Sequence, residues 1–208
     1  FKALLEAIQL DPVGRVATCK EEIEFALSNE SIAHHLLGLH TRGLIPERIT
    51  HNDTKLSNVL IDDITGEGMC VVDLDTVMPG LSLYDFGDLV RTCVSPVPED
   101  STDLDQIQVR QPIFEALVRG FLEEMADVLT PPEVENLGFA GKLLTYEVGL
   151  RFLTDYILGD PYFGEKRANH NLDRTRNQFH LVHMFKIHDK QQQNTLQALA
   201  AQSVLIPS

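Results

Sequence analysis

Asp53, Asn58, Asp73 and Asp75 are the residues of this 208-residue chain whose types and spacing suit chemistry. The segment from His51 to Asn58 (HNDTKLSN) runs into an aliphatic stretch at 58–62, and a second one at 69–74 ends on Asp73, with Asp75 just beyond. Between them, residues 63–68 (DITGEG) supply the glycines of a turn, so the pair is expected to form a β-hairpin. A hairpin brings its two ends together, which gathers three carboxylates and an amide oxygen at one edge. Such hard oxygen donors suit Mg2+, which takes one or two carboxylates and fills its other positions with phosphate oxygens and water. One carboxylate is left over as a base.

The elements that must position this edge are helical. Phe1, Leu4, Leu5 and Ile8 trace one helical face that begins without a capping residue, so the helix is expected to start upstream. Apolar residues from Ile23 to Leu37 predict one helix from about Lys20 to His40. Val109, Ile113, Leu117, Phe121, Met125 and Val128 recur at helical spacing. Thr130, Pro131 and Glu133 then form a cap signature ahead of a helix running to Leu158, where Gly159 and Pro161 stop it. The weakly periodic stretch from Leu172 to about Leu199 is also expected to be helical, burying Phe179, Val182, Phe185, Leu196 and Leu199. The fold class is therefore α+β: a mostly helical body with one small inserted hairpin.

Composition narrows the function. A net charge of −14 opposes binding to nucleic acid or an anionic membrane, both of which need a cationic surface. Cys19, Cys70 and Cys93 form no CxxC pair, which points away from zinc and disulfides and towards a reducing cytoplasm. Cys70, in a strand, and Cys93 are expected to be buried. No stretch of the given sequence reads as a signal segment or a membrane span, so neither is expected.

With those residues in view, a resemblance stands out. The pattern HxDxxxxN at His51, Asp53 and Asn58, followed by a hairpin and a strand-terminal Asp, resembles the catalytic loop and metal-binding Asp of protein-kinase-like phosphotransferases. THNDTKLSNVL at 50–60 and VDLDTVMPGLSLYDFGD at 72–88 resemble the aminoglycoside phosphotransferase and choline kinase superfamily. With TYEVGLRFLTD at 145–155 and DPYF at 160–163, the likeness is greatest to N-acetylhexosamine 1-kinases. It implies ATP as donor, Mg2+ as cofactor and a sugar or amino sugar as acceptor. It implies Asp53 as catalytic base, Asn58 and Asp73 as magnesium ligands, and Lys55 against the transferring phosphoryl group. His51 and Asp85 would support the loop, Asp85 by accepting backbone hydrogen bonds. Arg151 and Tyr162 would contact the sugar. From the residues alone, Arg151 fits equally a salt bridge to Glu147 or Asp155.

The chain departs from that family in two ways. Nothing before residue 50 resembles the N-terminal sheet lobe with its glycine-rich loop, so the 208 residues are expected to be the C-terminal lobe, inactive by itself. The sugar kinases also place a tryptophan near the sugar, and this chain has none. Two readings compete. Asp73 and Asp75 after Val71 and Val72 match the nucleophile loop of haloacid-dehalogenase-like phosphatases, which normally opens its domain and would leave HxDxxxxN unexplained. A non-catalytic kinase-like binding module would have no reason to keep Asp53, Lys55, Asn58 and Asp73 together.

Overall fold

The computed structural model describes residues 1–203. Helices α1 (Lys2–Leu10), α2 (Lys20–Ser28) and α3 (Ser31–Thr41) lead into strand β1 (Arg48–Thr50). The hairpin strands β2 (Val59–Ile61) and β3 (Gly68–Val71) follow, then strand β4 (Met78–Gly80). Helices α4 (Ser82–Val94), α5 (Gln111–Met125), α6 (Pro131–Leu158) and α7 (His170–Ser203) complete the body. No helix among the described residues is long and apolar enough to cross a membrane.

Helix α6 is the axis of the molecule. It packs against α1, α3, α4 and α7, and so is buried on most of its circumference, with Leu137, Leu143, Tyr146, Phe152 and Ile157 in the core. Small residues set its spacing. A Cβ on Gly87 of α4 would lie 2.5 Å from the Ala140 carbonyl oxygen, and one on Gly149 would lie 2.6 Å from the Phe179 ring of α7. The helix starts on the expected cap: Glu133 N–H donates to Thr130 Oγ1, and the Glu133 carboxylate accepts from Thr130 N–H at 2.8 Å. It ends on Gly159, whose φ of 91° is the left-handed conformation that glycine adopts freely.

The same glutamate ties the body to the small strands. Glu133, 1% exposed, also accepts from Arg48 of β1 at 2.7 and 3.1 Å and from the Ser82 hydroxyl, just beyond β4, at 2.7 Å. Burial by itself would raise its carboxyl, but these donors outweigh it and hold the pKa at about 2.

Several expectations are corrected. The helix from Lys20 to His40 is two helices, broken at Asn29 and Glu30, and Leu27 and Leu37 are exposed. In α5 the buried row is Phe114, Val118 and Leu122, one position on from the expected stripe, whose Ile113, Leu117, Phe121 and Met125 only flank the core. Cys70 is exposed, because both faces of its strand are open, and Cys93 is half-buried. A second two-stranded sheet, β1 antiparallel to β4, accompanies the expected hairpin. Phe179, Val182, Phe185, Leu196 and Leu199 of α7 are all buried.

Candidate active site

Sheet β1–β4 delivers the loop 51–58, and the hairpin closes it. Arg48 pairs with Gly80 and Thr50 with Met78. A Cβ at Gly80 would lie 2.4 Å from Thr50 Oγ1, so the residue there must be glycine for the loop to leave β1 where it does. In the hairpin, Val59 pairs with Val71 and Leu60 with Cys70, and Val72 N–H donates to the Asn58 carbonyl at 2.9 Å. Asp62 caps the turn, accepting from Ile64 and Thr65 N–H at 2.9 and 2.7 Å, and Gly66 takes a φ of 74°. Asn58 is thereby set beside the chain leading to Asp73.

Helix α4 grips the loop from below. The Asp85 carboxylate accepts from His51 N–H at 2.8 Å and Asn52 N–H at 2.7 Å, and its carbonyl accepts from the Thr54 hydroxyl at 2.5 Å. His51 Nε2 lies 3.1 Å from the Val72 carbonyl, while Asp53 N–H donates to His51 Nδ1 at 3.3 Å. Both bonds are satisfied together only by the neutral Nε2–H tautomer, so the imidazole is a strut between loop and hairpin. The Thr76 hydroxyl donates to the His51 carbonyl at 2.6 Å, a further tie across the same gap. Asn52 and Asp73 have φ of 62° and 65°, left-handed values uncommon outside glycine and best tolerated by Asn and Asp.

On this support the expected residues converge. Lys55 Nζ is 2.5 Å from Asp53 Oδ2 and 3.9 Å from Asp73 Oδ2. The Asn58 amide, on a residue only 5% exposed, donates to the Asp53 carbonyl and to Oδ2, each at 2.9 Å. Partial burial raises the Asp53 carboxyl, but hydrogen bonds from Lys55 and Asn58 more than offset it and hold its pKa below the ordinary value of 3.8. The bond to Asp53 raises the Lys55 pKa. Asp53 Oδ2 is thus occupied and Oδ1 is left for another donor.

The donor set also suits a magnesium ion. Asn58 turns its NH2 to Asp53, which leaves its amide oxygen without a donor among the described residues, and Asp73 presents a half-exposed carboxylate. No group of three or more His, Cys, Asp or Glu able to hold a metal occurs among the described residues. Two hard oxygen ligands cannot cage an ion by themselves, but they match an ion that brings phosphate oxygens and water with it.

One cavity of about 870 Å³ joins the loop to α6, lined by Asp53 and Lys55 on one side and Arg151 and Tyr162 on the other. That is a volume for a small molecule. Arg151 makes no ion pair with Glu147 or Asp155 within 4 Å; its guanidinium reaches the Tyr162 hydroxyl at 3.5 Å and lies 5.2 Å from the Phe163 ring. Asp155 instead accepts from Tyr162 and Phe163 N–H, both at 2.9 Å, and Asn171 donates to Asp155 and Asp160, so the turn carrying Tyr162 is fixed from behind.

Further lining residues carry no local sequence signal. Arg91 bridges Asp88 at 2.9 Å and Glu99 at 3.0 Å, Arg174 pairs with Glu99, and the Arg174 guanidinium stacks 3.9 Å from the Phe152 ring. These partners are far apart in the chain.

A loop carboxylate held between a lysine and an amide, with a second carboxylate at the end of a hairpin beside it, is an arrangement that suits phosphoryl transfer. Residues 9–122 match the phosphotransferase enzyme family, over more than half of the chain, and the chain belongs to that family. The match spans the loop, the hairpin and α4. Arg151 and Tyr162 lie beyond it.

Proposed function

We propose that this chain is the C-terminal lobe of an ATP- and Mg2+-dependent kinase that phosphorylates the anomeric hydroxyl of an N-acetylhexosamine, giving a sugar 1-phosphate. The observation that carries the reading is the single cavity holding Asp53 and Lys55 opposite Arg151 and Tyr162. The free Oδ1 of Asp53 accepts the acceptor hydroxyl and holds it in line with the γ-phosphorus. As the new O–P bond forms, the bond from phosphorus to the ADP oxygen breaks and the hydroxyl proton passes to Asp53. With its pKa below 3.8, Asp53 stays ionised throughout the neutral range and acts chiefly by orientation. Lys55 offsets charge on the phosphoryl oxygens. Asn58 and Asp73 hold Mg2+, which when bound neutralises the phosphates. Arg151 and Tyr162 seat the sugar.

The lobe that covers the nucleotide is proposed to lie outside these 208 residues. The hairpin, on whose two open faces Leu60, Ile61, Met69 and Val71 are about half exposed or more, favours a covering partner. Three free cysteines fit a reducing cytoplasm.

Phosphorus NMR of the full chain with ATP, Mg2+ and a panel of hexosamines, choline and an aminoglycoside tests the reading. A sugar 1-phosphate signal that disappears in Asp53→Asn, a loss of at least about 100-fold, is expected. Phosphorylation of choline or the aminoglycoside alone would transfer the site to another acceptor. ATP binding with no phosphorylated product would leave a binding module.

A further inference from the structure

The cavity contains four basic and four acidic side chains, and their pairing is uneven. Lys55 is paired with Asp53, Arg91 with Asp88 and Glu99, and Arg174 with Glu99. Two are left over. Glu147 accepts no hydrogen bond and makes no ion pair within 4 Å among the described residues, and Arg151, one turn along the same helix, reaches only the Tyr162 hydroxyl. An acid and a base of one helix that share a cavity without meeting leave one strong acceptor and one strong donor set for a ligand. Burial pushes the Glu147 carboxyl above its ordinary value, against the pulls of the Phe1 amino group and Arg151, neither of which reaches it within 4 Å.

The rest of the lining disfavours a cation. A polyamine acceptor needs several unpaired acids, and one is present. A quaternary ammonium needs open aromatic faces. Phe152 lies under Arg174, Tyr162 under Arg151, and Phe163 is within 5.4 Å of both guanidiniums. A cation at those rings would meet two like charges.

We infer that Glu147 is the acceptor-selecting residue of this cavity, accepting hydroxyl hydrogens of a neutral polyhydroxylated ligand whose oxygen acceptors are taken by Arg151. This rests on the reading of the cavity as an acceptor site and adds a residue and a charge rule to it.

Binding without turnover separates the two. Calorimetric titration of N-acetylglucosamine and N-acetylgalactosamine, and of choline and an aminoglycoside, into the full chain reads affinity whether or not phosphate is transferred. For at least one of the sugars, a dissociation constant about 10- to 100-fold weaker in Glu147→Gln, partly restored in Glu147→Asp, with unchanged melting temperature and unchanged ATP affinity, is expected. Sugar affinity unchanged in Glu147→Gln, no sugar binding by the native chain, or tighter binding of choline or the aminoglycoside than of the sugars would each overturn the inference. Sugar binding that depends on Glu147 but yields no sugar phosphate by NMR would instead sustain it while defeating the kinase reading.

Discussion

In the helical body Phe86, Val90, Tyr146 and Phe185 are fully buried, whereas in the hairpin Leu60, Ile61, Met69 and Val71 are about half exposed or more and Ile64 is 93% exposed. The body holds its shape by packing. The loop 51–58 between the two has few packed side chains and takes its shape from hydrogen bonds to the body: His51 and Asn52 N–H donate to the Asp85 carboxylate, while Arg48 of the strand before it joins Ser82 and Thr130 in donating to Glu133. Precision at Asp53 is therefore borrowed from α4 and α6 through a small number of polar ties. Losses in the body and at the buried Glu133 tie should appear as stability, losses at the Asp85 tie as rate, and losses on the open hairpin as almost nothing within these 208 residues.

The largest effect falls in the body. Phe86→Ala removes a fully buried ring that packs at a tilt against Phe121, with centroids 4.9 Å apart, and about 3–5 kcal/mol of stability is expected to go with it. Urea denaturation measures it. A loss under about 1 kcal/mol would mean that the body is not held by its packing.

Next comes the tie at Glu133. Arg48→Met leaves a buried carboxylate with neutral donors only, which is expected to cost about 3 kcal/mol at pH 7. The pH dependence follows from the sign of the shift. The folded pKa of about 2 lies below the ordinary 4.5, so the stabilisation is complete above pH 4.5 and is lost as the pH falls towards 2. Denaturation midpoints of the native and variant chains should thus converge across that window. A constant gap would place the stabilisation elsewhere.

The tie at Asp85 is expected to show in rate. In Asp85→Asn an NH2 replaces one acceptor oxygen, so His51 or Asn52 N–H loses its partner and the loop shifts. Turnover of the full chain should fall about 100-fold, the usual result of displacing a reacting group by roughly 1 Å, with the melting temperature nearly unchanged. Equal turnover would show that the hairpin, through His51 and Thr76, positions the loop without α4.

This division also explains what the sequence reveals. The hairpin, the cap at Thr130 and Glu133, and the stop at Gly159 are local devices with local residue signatures, and each is found where expected. Sheet β1–β4 has three-residue strands, one of them containing Pro79 and Gly80, too short for any alternation to register. Cys70 follows strand patterning, but burial depends on what covers a strand, which pattern does not carry. In the site, Asp53, Lys55, Asn58 and Asp73 fall within one motif and a hairpin and were legible. Glu147 reads in the sequence as a candidate salt-bridge partner of Arg151, and only the packing of α4 and α7 shows the two sharing a cavity without meeting. The Arg91, Glu99 and Arg174 group joins residues up to 83 positions apart, a closeness only the packed helices create.

The smallest effect sharpens the comparison most. Ile64→Ser removes an isoleucine that touches solvent on almost all sides, so within these 208 residues stability should change by no more than about 0.5 kcal/mol. In the full chain the same substitution discriminates. If a second lobe covers the hairpin face, Ile64 and its neighbours are buried there, and the variant should lose about 1 kcal/mol or more by the transfer of its side chain alone. An equal, near-zero effect in both chains would mean that this face stays open, and that any lobe covering the nucleotide rests on β1, β4 and the loop instead.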